Sequence, residues 1–273
     1  MLETPTAWLI LILIGICTGI LSGLLGIGGG LLMVPALTLF GVPLVEATAT
    51  SLVGVFLSAV SGSLRNLSAR ELNWRVSLLL AAFGIFTAQL GAGLGDRLPD
   101  QALSLAFAAL LLLNIYLMNL RQRLKHQSDQ HNDLETSPVQ SLSYEATLTT
   151  HPPTTPLLPI AIIGLLSGFL SGLLGVGGGL VMVPLQMLFL GESIKAAVRT
   201  SLGAIVAIAI SGLAQHTWND NVLWLPGLCL GLGGIFGAQI GSRLLPKLSD
   251  RRVNQLFRVF LMGLAVYMVV RAI

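Results

Sequence analysis

Long stretches of this chain carry no charged residue and no histidine: 4–45, 47–64, 76–95, 101–120, 157–191, 200–215 and 221–242. Several reach the length of about 20 apolar residues that a helix needs to span a bilayer. They do not alternate between polar and apolar positions, as the strands of a membrane β-barrel would. The pattern therefore predicts an all-α integral membrane protein. Ordinary spans are expected at about 44–64, 76–96 and 101–120, and again at about 196–216, 222–243 and 253–271. Two further apolar segments, 7–41 and 157–191, are 35 residues each. A straight helix of that length would measure about 52 Å, well beyond a hydrocarbon core of about 30 Å.

Both long segments contain the same glycine-rich sentence. Residues 19–35 read GILSGLLGIGGGLLMVP and residues 168–184 read GFLSGLLGVGGGLVMVP, identical at 14 of 17 positions. The correspondence continues through Thr50-Ser51-Leu52 with Thr200-Ser201-Leu202, and through Ser61-Gly62 with Ser211-Gly212. It ends with GIFTAQLGAGL (84–94) against GIFGAQIGSRL (234–244). The chain thus reads as a first transmembrane repeat at 1–120, a flexible linker at 121–156 and a second repeat at 157–273. The linker is rich in Ser, Thr, Gln, His and Pro and has no apolar periodicity. Its His126, His131 and His151 are irregularly spaced and lack accompanying cysteines, which favours a solvated loop over a metal site.

The basic residues bear on topology. If each long segment turns back at its glycines, the loops 65–75, 121–156, 192–199 and 243–252 share one face. That face then holds twelve Lys and Arg residues, and the opposite one only Arg97 and Arg271. If the segments cross once, the same residues divide about evenly. Cytoplasmic loops carry the Lys/Arg excess, so returning hairpins are expected, with the linker cytoplasmic and both termini outside. Each half then makes an odd net number of crossings. The two repeats are expected to be inverted in topology, each a glycine-broken helical hairpin plus three transmembrane helices, in a multi-pass protein of the inner or plasma membrane. Whether the hairpins cross fully or turn at mid-depth is left open.

Composition agrees: 54% of the 273 residues are hydrophobic and 10% charged, where a soluble chain would be about a quarter charged. The net charge of +3 is explained by loop arginines and lysines rather than by nucleic acid. Met1-Leu2-Glu3 lacks the basic lead of a signal peptide, so the first segment is expected to be retained. Cys17 and Cys229, in apolar runs at non-equivalent positions, read as small buried hydrophobes. No Walker motif, Ser/His/Asp arrangement or metal-ligand spacing is present. An enzyme is not expected, and neither a cofactor nor a bound metal is implied.

A glycine-broken apolar segment in each half of a duplicated membrane protein points to a transporter's binding site. Gly26, Gly28, Gly29 and Gly30, with Gly175, Gly177, Gly178 and Gly179, permit a sharp turn. The helix resuming at Leu31 or Leu180 starts with free N–H groups and a dipole that favour an anion. Tight helix packing is the plainer role for such glycines, and it is preferred for Gly15, Gly19 and Gly23 and for Gly164, Gly168 and Gly172, which recur every four residues. Ser22 and Ser171 lie beside these faces. Thr50, Ser51, Thr200 and Ser201 are hydroxyls in apolar helices, able to donate to an oxyanion or to a neighbouring helix. Gln89 and Gln239 are lone amides that need a partner, either a ligand or another helix. Arg199 could attract an anion or mark the membrane boundary. Glu46, Asp96, Glu192 and Asp220 all fall near span ends, and His216 is the nearest candidate for a titrating group.

The motif GxxSGxxGxGGGxxxxP in each half, with GAQxGxxL in the second, resembles the TauE/SafE family of membrane transporters. The likeness spans both halves and leaves out the linker. Members are described as sulfite exporters or permeases for organosulfonates. The resemblance implies a small sulfur-containing anion as substrate and bacterial-type inner-membrane placement. It carries over to Gly28, Gly29, Gly30, Gly177, Gly178 and Gly179, to Thr50, Ser51, Thr200 and Ser201, and less directly to Gln89 and Gln239. Expected partners are the anion and the lipid bilayer, not nucleic acid, and a homo-oligomer is compatible. An anion channel and a non-transport sensor or assembly subunit are the other classes left open.

Overall fold

The computed structural model describes residues 5–113, 116 and 157–249, with 251–253, 255–256, 258–259 and 262–263 of the C-terminal segment. The linker at 121–156 and most of 114–120 and 254–271 lie outside the described residues. The described residues form helices and no strands. In chain order these are α1 (Pro5–Leu25), α2 (Gly30–Leu39), α3 (Leu44–Ser68), α4 (Trp74–Gly95), α5 (Asp100–Leu113), α6 (Leu157–Leu174), α7 (Gly179–Phe189), α8 (Ile194–Trp218) and α9 (Trp224–Leu244). A short 3-10 turn, Leu245–Lys247, extends α9.

Six of these helices are long and apolar enough to cross a membrane: α1, α3, α4, α6, α8 and α9 with its 3-10 extension. Each 35-residue apolar segment resolves into one such helix and one of about half the length. The 21 residues of α1 measure about 31 Å and the 10 residues of α2 about 15 Å. Pro35 and Pro184 sit inside α2 and α7, which continue past them to Leu39 and Phe189.

Helices that hold corresponding places in the two copies of the repeat make corresponding contacts. α1 packs along α9, as α6 packs along α4, and α3 packs against α8 at the centre. The inner position of α3 and α8 shows in their apolar windows, which are 72% and 61% buried against 44% for α1 and α4. Their contact is a cluster of equivalent residues, Leu52 with Leu202, Val55 with Ile205 and Ala59 with Ala209. Among lipid tails, burying apolar surface gains little, so association depends on close packing. The glycine stripes supply it. A Cβ on Gly15 would fall on the Leu230 carbonyl, and one on Gly168 on the Gly84 carbonyl. Gly237 and Gly241 of α9 answer with the same closeness to Ile16 and Ile20 of α1.

Hydroxyls tie the two halves together. Ser61 Oγ donates to Ile235 O at 2.8 Å, and its counterpart Ser211 to Ile85 O at 2.7 Å. α3 and α8 end in the same turn, with Arg70 at φ 58 and Asp220 at φ 56. Both cysteines are free, and Cys229 is buried. Cys17 departs from the expectation of burial: it is exposed on the outward face of α1, whose stripe towards α9 is taken by Gly15 and Gly19.

Candidate functional site

The two glycine breaks meet at the centre of the molecule. Gly26, Gly28 and Gly29 all have positive φ (70, 81 and 87°), as do Gly175, Gly177 and Gly178 (68, 81 and 73°). L-residues avoid this left-handed region, so the run of glycines is what lets α1 end at Leu25 and α2 start at Gly30. The break folds back along the helix before it. A Cβ on Gly29 would lie 3.4 Å from the Thr18 carbonyl and 3.6 Å from Ser22 Cβ. One on Gly178 would lie 3.3 Å from Ser167 Cβ.

The breaks also touch each other. Gly30 packs on the Gly175 carbonyl, and Gly179 on the Gly26 carbonyl. Val55 and Ile205 are wedged against both: a Cβ on Gly177 would meet Val55 Cγ1 at 2.7 Å and Ile205 Cγ2 at 3.3 Å. Both side chains are fully buried, so the structure is closed at its centre.

The Thr-Ser pairs hold this crossing. Ser201 Oγ lies 2.9 Å from Gly26 O and 2.9 Å from Val198 O. Ser51 Oγ lies 2.9 Å from Gly175 O and 2.7 Å from Thr48 O. Each serine thus braces the glycine break of the opposite half. Thr50 Oγ1 accepts from Leu223 N at 3.0 Å, while Ser77 Oγ donates to Thr200 O at 2.7 Å. A further brace, Ser58 Oγ to Gly28 O at 2.9 Å, has no counterpart, because the equivalent position is Ile208. Ser58 was not singled out from the sequence, and that broken correspondence was the available signal.

Of the residues expected at the site, the glycines and Ser51 and Ser201 come together, with Thr50 and Thr200 next to them on α3 and α8. Gln89 and Gln239 do not join them: both are exposed on the outer faces of α4 and α9. Arg199 pairs with Glu71 at 3.1 Å, both side chains partly exposed.

Helices α2 and α7 begin with their N-caps, Gly29 and Gly178, in the left-handed conformation and without a side-chain cap. The first N–H groups of a helix need partners from outside it. Ser22 and Ser167 lie beside these helix starts, and Ser171 is the counterpart of Ser22; each is fully buried with its hydroxyl unpaired. Thr18, the counterpart of Ser167, instead donates to Gly15 O at 2.9 Å. Gln186 in α7 is likewise buried with both amide atoms unpaired, and its equivalent in α2 is Leu37. Neither glycine-broken segment, 7–41 nor 157–191, contains a charged residue. An arrangement of N–H groups and neutral hydroxyls can hold an anion without burying a counter-charge. Among the described residues, no three His, Cys, Asp or Glu side chains are grouped to hold a metal.

Known proteins are similar in sequence to this chain over nearly its full length. The family model described as Sulfite exporter TauE/SafE matches residues 11–268. A probable membrane transporter protein of Methanocaldococcus jannaschii, MJ0441, is 27% identical, covering 90% of this chain and 89% of its own. The probable membrane transporter protein YunE of Bacillus subtilis is 24% identical, covering 93% and 94%. MamO of Paramagnetospirillum magneticum, also named a probable membrane transporter protein, is 26% identical over 94% of this chain and 44% of its own. No solved structure matches. The six apolar helices and the family match together identify the chain as a multi-pass membrane transporter belonging to the TauE/SafE family.

Proposed function

We propose that this transporter carries small sulfur-containing anions such as sulfite or organosulfonates, and that they bind where α2 and α7 begin. The observation that carries the reading is the pair of uncapped helix starts beside the buried, unpaired hydroxyls of Ser22 and Ser167, with that of Ser171, the counterpart of Ser22, equally buried and unpaired. Sulfite and sulfonates bear their charge on oxygens, which backbone N–H and hydroxyl donors suit. The family's description supports sulfur as the central atom.

The mechanism proposed is alternating access by two inverted repeats, each with a hairpin that returns to the side it entered from. Corresponding contacts between the halves favour it, because a rocking motion then exchanges equivalent interfaces. In the closed arrangement Val55 and Ile205 fill the space between the breaks. An anion reaches the helix starts when the halves part around this wedge. The Lys/Arg excess of the loops on one face supports a cytoplasmic linker and termini outside.

The test is sulfite binding to purified protein, followed by calorimetry, in the wild type and in Gly178→Ala and Ser171→Ala. Saturable binding that weakens in both variants supports the reading. Sulfite affinity unchanged by enlarging Gly178 and by removing the Ser171 hydroxyl overturns the site.

A further inference from the structure

One end of the molecule carries a buried imidazole facing a carboxylate from the other half. His216, in the last turn of α8, is fully buried. Its Nε2 lies 3.1 Å from the Gly172 carbonyl, one turn before the second glycine break. A carbonyl only accepts, so Nε2 carries the ring's proton. Nδ1 then presents a lone pair, and what it faces is Asp96 Oδ1 at 3.5 Å, without a hydrogen bond. Asp96, just beyond α4, accepts from Asn219 Nδ2 through Oδ2 and from Asn221 Nδ2 at 2.8 Å through Oδ1. Arg97 and Asp220, the other charged residues on these segments, form no ion pair with either group among the described residues. The knot is therefore one proton short of complete.

The duplication supplies an internal control. Residue 216 corresponds to Asn66 and residue 96 to Pro246. Asn66, at the end of α3 on the opposite side of the molecule, is buried with its Nδ2 unpaired, and the acid of its turn, Glu71, pairs instead with Arg199. The two ends share helices and turns, and among the described residues only one has a histidine facing a carboxylate.

We propose that His216 and Asp96 form a proton-binding site whose occupancy fastens this end of the transporter closed. This rests on the reading of the glycine breaks as the moving transport site. Protonation at Nδ1 converts a lone pair facing a carboxylate into a charge-assisted Nδ1–H to Oδ1 bond. The proton comes from the aqueous phase beside Asp96, whose side chain is 17% exposed. Once bound, it links α8 through His216, α6 through Gly172 O, and the segment after α4 through Asp96. Loss of the proton unfastens the segment after α4 from His216, and so from α6 and the break that follows it, which Nε2–H still holds through Gly172 O. Transport then quickens as pH rises on this side.

Two measurements test the site, both on the full chain with His126, His131 and His151 replaced by Asn so that His216 is the remaining histidine. The first is nitrogen NMR of the imidazole in lipid nanodiscs, without substrate. The expected result is an Nδ1 that gains a proton on acidification while Nε2 stays protonated, with a midpoint that moves in Asp96→Asn. An Nδ1 that never protonates while the protein stays folded, or a midpoint indifferent to Asp96→Asn, overturns the proposal. The second is sulfite uptake into proteoliposomes against pH on the His216 side. The expected wild-type rate falls by up to about tenfold per pH unit on the acid limb, the slope of a single proton, and His216→Asn flattens it. An unchanged pH profile in His216→Asn overturns the coupling to transport. A titrating Nδ1 in protein that moves no sulfite supports the proton site and overturns the sulfite reading instead.

Discussion

Replacing Ser201 or Ser51 with alanine separates two roles that the sequence leaves open, ligand and brace. In the structure each hydroxyl has one proton and two carbonyls within 2.9 Å. One carbonyl is in its own helix, and the other belongs to the opposite break. Ser201→Ala leaves the buried Gly26 carbonyl without this donor, and Ser51→Ala does the same to Gly175. A buried hydrogen bond of this kind is worth about 0.5–1.5 kcal/mol net, and interhelical bonds in membranes average about 0.6 kcal/mol. Each variant is therefore expected to lose about 1 kcal/mol of stability in the absence of any anion. The two hydroxyls share no acceptor, so the double variant should lose about 2 kcal/mol, additive to within about 0.5. Equilibrium unfolding in mixed micelles, with and without sulfite, reads this directly. The reasoning is refuted if both single variants keep wild-type stability without sulfite but bind sulfite more weakly, because the hydroxyls would then be ligands and not braces.

Gly168→Ala forces a methyl group onto the Gly84 backbone between α6 and α4 and should cost about 1–3 kcal/mol. Gly93→Ala, where nothing lies within 4 Å, should be neutral or stabilising in the same unfolding assay. Gly177→Ala meets both a positive φ of 81° and Val55 Cγ1. It should lose about 1–2 kcal/mol from the backbone alone, and transport should fall with it in an uptake assay. Burial raises the Glu192 carboxyl above its ordinary value in the turn between α7 and α8. The folded state therefore holds this proton more tightly than the unfolded chain, and Glu192's contribution to stability falls as pH rises from the ordinary glutamate range through the folded value. Glu192→Gln should remove that dependence, measured as melting temperature against pH.

Much of the architecture was readable because the repeat is so well kept. The span expected at 44–64 is α3, Leu44–Ser68, and that at 222–243 is α9, Trp224–Leu244. The stripe at Gly15, Gly19 and Gly23 announced a packing face, but not that α9 of the other half would fill it. Residue spacing reports which positions share a helix face and says nothing of a partner more than a hundred residues away. For the same reason the Thr-Ser pairs were visible as polar groups in apolar helices, while the Ser51–Gly175 and Ser201–Gly26 bonds were not. The position of Gln89 and Gln239 was not legible for another physical reason. In a helix apolar on all sides, periodicity does not separate the inner face from the outer, and both amides prove to be exposed. His216 stood out as a lone titratable group in an apolar run, but its partner Asp96 lies 120 residues away in sequence.

The central claim, that an anion of sulfur is carried past the glycine breaks, is tested most directly by counterflow. Proteoliposomes containing the purified protein are loaded with unlabelled sulfite and diluted into a trace of labelled sulfite. Transient accumulation of label above equilibrium, saturating with sulfite and lost in Gly178→Ala that remains folded, is the predicted result. Labelled sulfite that never exceeds equilibrium, or accumulation that survives Gly178→Ala unchanged, would contradict it.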